Sequence, residues 1–152
     1  IFSLNLGDFM IIEELQKNIQ KRILEEPLFK KYFDNFEMIK ANNNFCDSNI
    51  INLEIRGQET ENELTKFLML ELYIREDKQI IITNIFIPMI MRKKGFGMKI
   101  LSIIFELAEK EDYALFISDM VQSFYNKMLQ KNAIQINEET VQIINETKLF
   151  RL

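Results

Sequence analysis

The stretch Arg92–Lys110, "RKKGFGMKILSIIFELAEK", decides how the rest of the chain is read. Three cations and two glycines lead without a break into an apolar pattern of helical period. Leu101, Ile104, Phe105 and Ala108 recur at spacings of one to three along it, which places them on one face of a helix that follows Gly97. Ahead of the junction, Gln79–Pro88, "QIIITNIFIP", is almost unbroken β-branched residue, the pattern of a strand buried on both faces. Pro88 has no N–H to give to a ladder and closes that strand. The 152 residues contain four glycines, and two of them stand two apart at this strand-to-helix junction. The junction either holds a phosphate or is a turn that needs backbone freedom.

Working outward from it, Tyr113–Ser118, "YALFIS", reads as a short buried strand, parallel to the one before if the helix is a right-handed crossover. Met120–Asn132 is helical, with Val121, Phe124, Met128 and Leu129 apolar. "AIQI" and "TVQII", joined by the polar "NEE", form a closing hairpin. Upstream, Ile50–Gly57 and Leu64–Arg75 alternate with period two and are separated by the polar "GQETENE". With Gln79–Pro88 they make a three-stranded antiparallel meander. From Asp8, a plausible N-cap, to about Phe36 the period is helical, with Phe9, Ile12, Leu15, Ile19 and Ile23 on one face. Pro27 splits this region and leaves a second short helix from Leu28 to about Phe33. The Asn-rich "KANNNFCDSN" reads as a loop. The order is therefore helices, meander, β-α-β, helix and hairpin: an α+β fold, with residues 1–152 as a single domain.

Composition narrows the chemistry. A hydrophobic share of 47% suits a globular core, and the net charge of −4 argues against general nucleic-acid binding. No apolar run reaches the roughly 18 residues of a membrane span. The opening "IFSLNLGDFMIIEELQ" carries acids where a signal peptide carries cations, and the single Cys46 allows no intrachain disulfide; both lead to the expectation of a cytoplasmic protein. There is no histidine, so Ser-His and Cys-His nucleophile pairs are excluded, and one cysteine without histidine builds no ordinary zinc site. No tight acidic cluster suggests magnesium, so no metal is expected.

The two widespread phosphate loops fail at the junction. GxxxxGK[ST] is absent, and G-x-G-x-x-G lacks its third small residue, because Ile100 stands there. What remains is R-x-x-G-x-G, Arg92 to Gly97, between a buried strand and a helix. This resembles the acyl-CoA signature Q/R-x-x-G-x-G/A of the GCN5-related N-acetyltransferases, the GNAT superfamily. The element order over most of the chain beyond Asp8 is similar to that family's, and Phe124–Tyr125 in "SFYNKM" matches the family's aromatic pair after the fifth strand. The chain departs from the pattern in three places. Pro88 lies one residue further from Arg92, Ser118 replaces the usual Asn, and Leu129–Gln130 replaces the usual Gly-Phe.

The resemblance implies an α/β/α sandwich around a mixed, mostly antiparallel sheet, with a βαβ cofactor-binding core and a C-terminal hairpin. It implies acetyl-CoA as cosubstrate and a primary amine, on a small molecule or a protein, as acceptor. The backbone of Ile85, Phe86 and Ile87 would pair with the pantetheine arm. Arg92 and the amides of Gly95, Phe96, Gly97 and Met98 would receive the pyrophosphate at a positive helix end, flanked by Lys93 and Lys94. Tyr125 would protonate the departing thiolate, since a phenol suits giving a proton to a thiolate rather than taking one from an ammonium. Glu71, ahead of Glu54 or a water chain, would be the base; each of these glutamates also reads as a solvent-facing residue of an alternating strand. Phe29, Phe33 and Phe36 close the core or form a homodimer surface. The alternative reading is a catalytically inactive descendant of the fold that senses a ligand or binds a protein.

Overall fold

The computed structural model describes residues 6–32, 35–40, 50–58, 66–75, 77–86 and 95–149. Helix α1 spans Leu6–Glu25 and α2 spans Pro27–Tyr32. Pro27 opens α2 at its first helical position, where the missing N–H would have had no intrahelical partner. α1 begins two residues ahead of Asp8, which therefore lies inside its first turn rather than at the cap.

Seven strands follow: β1 Asn35–Lys40, β2 Ile50–Gln58, β3 Lys66–Arg75, β4 Gln79–Phe86, β5 Ala114–Ile117, β6 Ile134–Gln135 and β7 Val141–Ile143. Helix α3, Phe96–Lys110, joins β4 to β5, and α4, Gln122–Gln130, follows β5. The strands form one sheet in the order β1-β2-β3-β4-β5-β7-β6. β4 and β5 run parallel, and every other neighbouring pair runs antiparallel. This is the α+β arrangement expected from the sequence, with the βαβ unit β4-α3-β5 at its centre.

The meander has four strands, not three. The helical period was read as far as Phe36, but Asn35–Lys40 pairs with β2 from Asn35↔Gln58 to Lys40↔Leu53. Pairing with a neighbour outweighs local period in so short a segment. Phe33 lies outside the described residues.

One face of the sheet carries the core. Register aligns Leu72 with Ile82, Ile82 with Ile117 and Ile117 with Val141 across four strands, and all four are buried. Leu15, Ile19 and Ile23 of α1 and Ile100, Leu101, Ile104 and Ala108 of α3 belong to the same buried cluster. Each fully buried Ile or Leu adds about 1.5–3 kcal/mol. β4 was expected to be buried on both faces; Ile80 and Ile82 are buried, but Ile81 and Thr83 are only half covered.

β4 also breaks its own period. Leu72 faces Ile82 while Glu71 faces Asn84, so Thr83 is an extra residue with no partner in β3. Such a β-bulge reverses the inside–outside alternation. Beyond it, Ile85 rather than Asn84 returns to the core face, opposite buried Leu70, while Asn84 and Phe86 are exposed.

Candidate functional site

The parallel pairing of β4 and β5 runs from Gln79↔Ala114 to Ile82↔Ile117. Its last rung is the Ser118 amide donating to the Ile82 carbonyl at 2.9 Å. Thr83–Phe86 continue β4 with no partner in β5. The two central strands thus part at their carboxyl ends, the place where open sheets with parallel strands take ligands. Connectivity brings three further elements to that end. α3 must start there to run back to β5, the 118–121 connection leaves β5 there, and α4 follows it.

Gly95 sits at the N-cap of α3 with φ +87° and ψ 1°, a left-handed conformation that side chains other than Gly and Asn rarely adopt. A Cβ built on it meets nothing within 4 Å. Backbone conformation, not crowding within the chain, is what calls for glycine. As a glycine it supplies no side-chain cap to the helix behind it, and that helix has no acid in its first turn. The leading amides of a helix have no intrahelical acceptor, and the dipole is positive at this end. Gly97 and Met98 lie half-buried in this first turn, and the Lys99 amide closes it on the Gly95 carbonyl at 3.0 Å.

Phe96 is 1% exposed and among the largest fully buried side chains. Its ring belongs to the core. Ile85 is packed partly against the core and Phe86 is 45% exposed. Ile87, Arg92, Lys93 and Lys94, expected to border the cofactor, lie outside the described residues, as do Pro88 and Cys46.

Tyr125 is 5% exposed, and its hydroxyl donates to the Asn137 carbonyl in the β6–β7 turn at 2.7 Å. Tyr125, not Phe124, is the buried aromatic of α4; Phe124 is only partly covered. Val121, expected on the apolar face of α4, precedes the helix as its N-cap and is 71% exposed. Glu71 lies on the outward face of β3, half-buried, and its Oε1 accepts a hydrogen bond of 2.7 Å from Thr83 Oγ1. Glu54 lies on β2.

Thr83 was missed in the sequence. Its signal was the polar pair Thr83–Asn84 interrupting an isoleucine run, which alternation alone does not explain. Among the described residues no group of three or more Cys, Asp or Glu gathers where a metal ion could be held. No described helix is long and apolar enough to cross a membrane.

No family model and no curated protein matches the sequence. Among solved structures, a nourseothricin acetyltransferase matches over 62% of this chain and 62% of its own, at 9% identity and a TM-score of 0.39. A candidate acetyltransferase from Agrobacterium tumefaciens matches over 93% of this chain and 92% of its own, at 13% identity and a TM-score of 0.40. A candidate N-acetyltransferase from Lactobacillus plantarum matches over 93% and 92%, at 17% identity and a TM-score of 0.41. The chain is similar in structure to acetyltransferases. The likenesses are distant, and what the site does is read from its own residues.

Proposed function

We propose that this protein is an acyl-CoA-dependent N-acyltransferase that moves an acetyl group from acetyl-CoA to a primary amine by direct attack. The observation that carries the reading is the junction itself: β4 and β5 part beyond Ile82, and a left-handed Gly95 opens an acid-free helix end beside the gap. An extended, amide-bearing thioester arm suits the unpaired edge of β4 after Ile82. A pyrophosphate suits the start of α3.

In this reading the amine nitrogen attacks the thioester carbonyl, which is polarised by backbone N–H groups of β4. Glu71, or water, takes the ammonium proton. The C–S bond breaks, and the thiolate takes the proton of Tyr125. Products are the amide and CoA, and no covalent enzyme intermediate is needed. Most of the rate gain comes from holding two substrates in line. The inactive alternative is favoured by one observation, the Tyr125 hydroxyl already bonded to the Asn137 carbonyl.

Isothermal calorimetry with acetyl-CoA and with CoA tests the cofactor; no binding at millimolar ligand sinks the reading. Two substitutions at Gly95 sharpen the test. Gly95→Ala is expected to lower stability by about 1–2 kcal/mol, the strain of a left-handed side chain. Gly95→Asn, whose side chain tolerates that conformation, is expected to lose less. Because the Cβ meets open space within the chain, affinity separates the roles. If a pyrophosphate approaches this backbone, both variants lose CoA affinity by roughly tenfold or more, whatever their stability. If Gly95 is only a turn, Gly95→Asn binds CoA as well as the parent.

A further inference from the structure

Thr83 stands where two irregularities coincide. It is the extra residue of the bulge between the Leu72↔Ile82 and Glu71↔Asn84 pairs, and it is the first residue of β4 beyond its pairing with β5. The bulge is what carries its hydroxyl to the neighbouring strand. In a regular ladder Thr83 would face a residue of β3; here it is offset from the register, and Oγ1 donates its single proton to Glu71 Oε1 at 2.7 Å. A threonine is stiff at χ1, so this hydrogen bond costs little rotamer freedom. Glu71 Oε2 has no hydrogen-bond or ion-pair partner among the described residues.

We propose that Thr83 is the positioning residue for Glu71: it fixes one carboxylate oxygen and leaves the other to accept the proton of the attacking amine. This rests on the transferase reading with Glu71 as base. The transfer balances simply. The nitrogen lone pair forms the C–N bond, the ammonium proton passes to Oε2, and the C–S electron pair leaves on sulfur. Thr83 touches neither substrate and acts by holding the carboxylate in one rotamer. A freely turning carboxylate visits the productive geometry only part of the time, so loss of the hydroxyl slows the proton transfer without weakening cofactor binding.

The experiment compares the full chain with Thr83→Val, Thr83→Ser, Glu71→Gln and the Thr83→Val/Glu71→Gln double variant. Free thiol released from acetyl-CoA is followed with spermine, a lysine-containing peptide and an aminosugar as acceptors. Thr83→Val is expected to lower kcat roughly tenfold or more, the scale of one hydrogen bond to a charged group, with the KM for acetyl-CoA unchanged. Thr83→Ser is expected to restore most of the rate. In the Glu71→Gln background Thr83→Val adds no further loss, because the two residues act as one unit. A Thr83→Val enzyme as fast as the parent, or a full additive loss in the double variant, overturns the proposal and leaves the transferase reading standing. If the parent binds acetyl-CoA yet acetylates none of the three amines, the transferase reading fails and takes this role with it. Should Thr83→Val not fold, a Thr83→Ser enzyme with the parent's kcat and KM supports the role of the hydroxyl, and one that loses rate overturns it.

Discussion

Phe96→Ala is expected to cost about 3–5 kcal/mol of stability, measured as the shift in a urea unfolding midpoint. Phe96 is 1% exposed at the first position of α3, and it shares its buried cluster with Leu15 of α1 and Ile82 of β4. Removing the ring takes away its transfer energy and leaves a cavity that close-packed isoleucines fill poorly. Globular proteins are stable by roughly 5–15 kcal/mol, so a loss of this size takes up a large part of the stability. Phe96→Leu keeps most of the volume and is expected to cost no more than about 1.5 kcal/mol.

The functional consequence follows from the place of Phe96 between two glycines. Neither Gly95 nor Gly97 has a side chain to anchor, and the N-cap glycine supplies no side-chain cap. The buried ring anchors the start of α3 to the core. Phe96→Leu should keep CoA affinity close to the parent's, while a folded fraction of Phe96→Ala should bind weakly because its first turn frays. A loss below about 1 kcal/mol for Phe96→Ala contradicts the buried position and this anchoring role.

Phe96 also shows what could be read in the sequence and what could not. The helix behind it was legible because Leu101, Ile104 and Ala108 repeat at helical spacing, and all three are buried. The turn was legible because scarce glycines bracket it. The direction of the Phe96 ring was not, since a residue between two glycines belongs to no periodic pattern. β1 was missed because Asn35–Lys40 owes its strand to pairing with β2, a partner about twenty residues away. The bulge at Thr83 was missed for the same kind of reason. A one-residue offset between β3 and β4 is a property of the pair, and only the polar Thr83–Asn84 within an isoleucine run betrayed it. Glu71 was singled out as a candidate from its alternating strand, but the hydroxyl that holds it comes from that offset.

Tyr125→Phe is expected to lower kcat for thiol release by about 10²–10⁴-fold, the range for loss of a general acid, while calorimetric affinity for CoA stays unchanged. The substitution keeps the ring, which is buried against the core, and removes only the hydroxyl. The Asn137 carbonyl then loses its donor at a cost of about 0.5–1.5 kcal/mol, a drop of a few degrees in Tm. These two effects are separable because they arise from the same proton in different circumstances. In the structure that proton is given to a neutral carbonyl 2.7 Å away. A thiolate at the carboxyl end of β4 and β5 would be a charged acceptor, and hydrogen bonds to charged groups are about twice as strong as neutral ones. In the proposed reaction the phenol would leave Asn137 when the thiolate forms, and the carbonyl would hold it in place until then. A Tyr125→Phe protein with the parent's kcat and the lower Tm makes the hydroxyl a pin for the β6–β7 turn alone. The thiolate would then be protonated by water. Loss of rate with CoA affinity preserved places the phenol at the sulfur and makes the Asn137 bond its resting position.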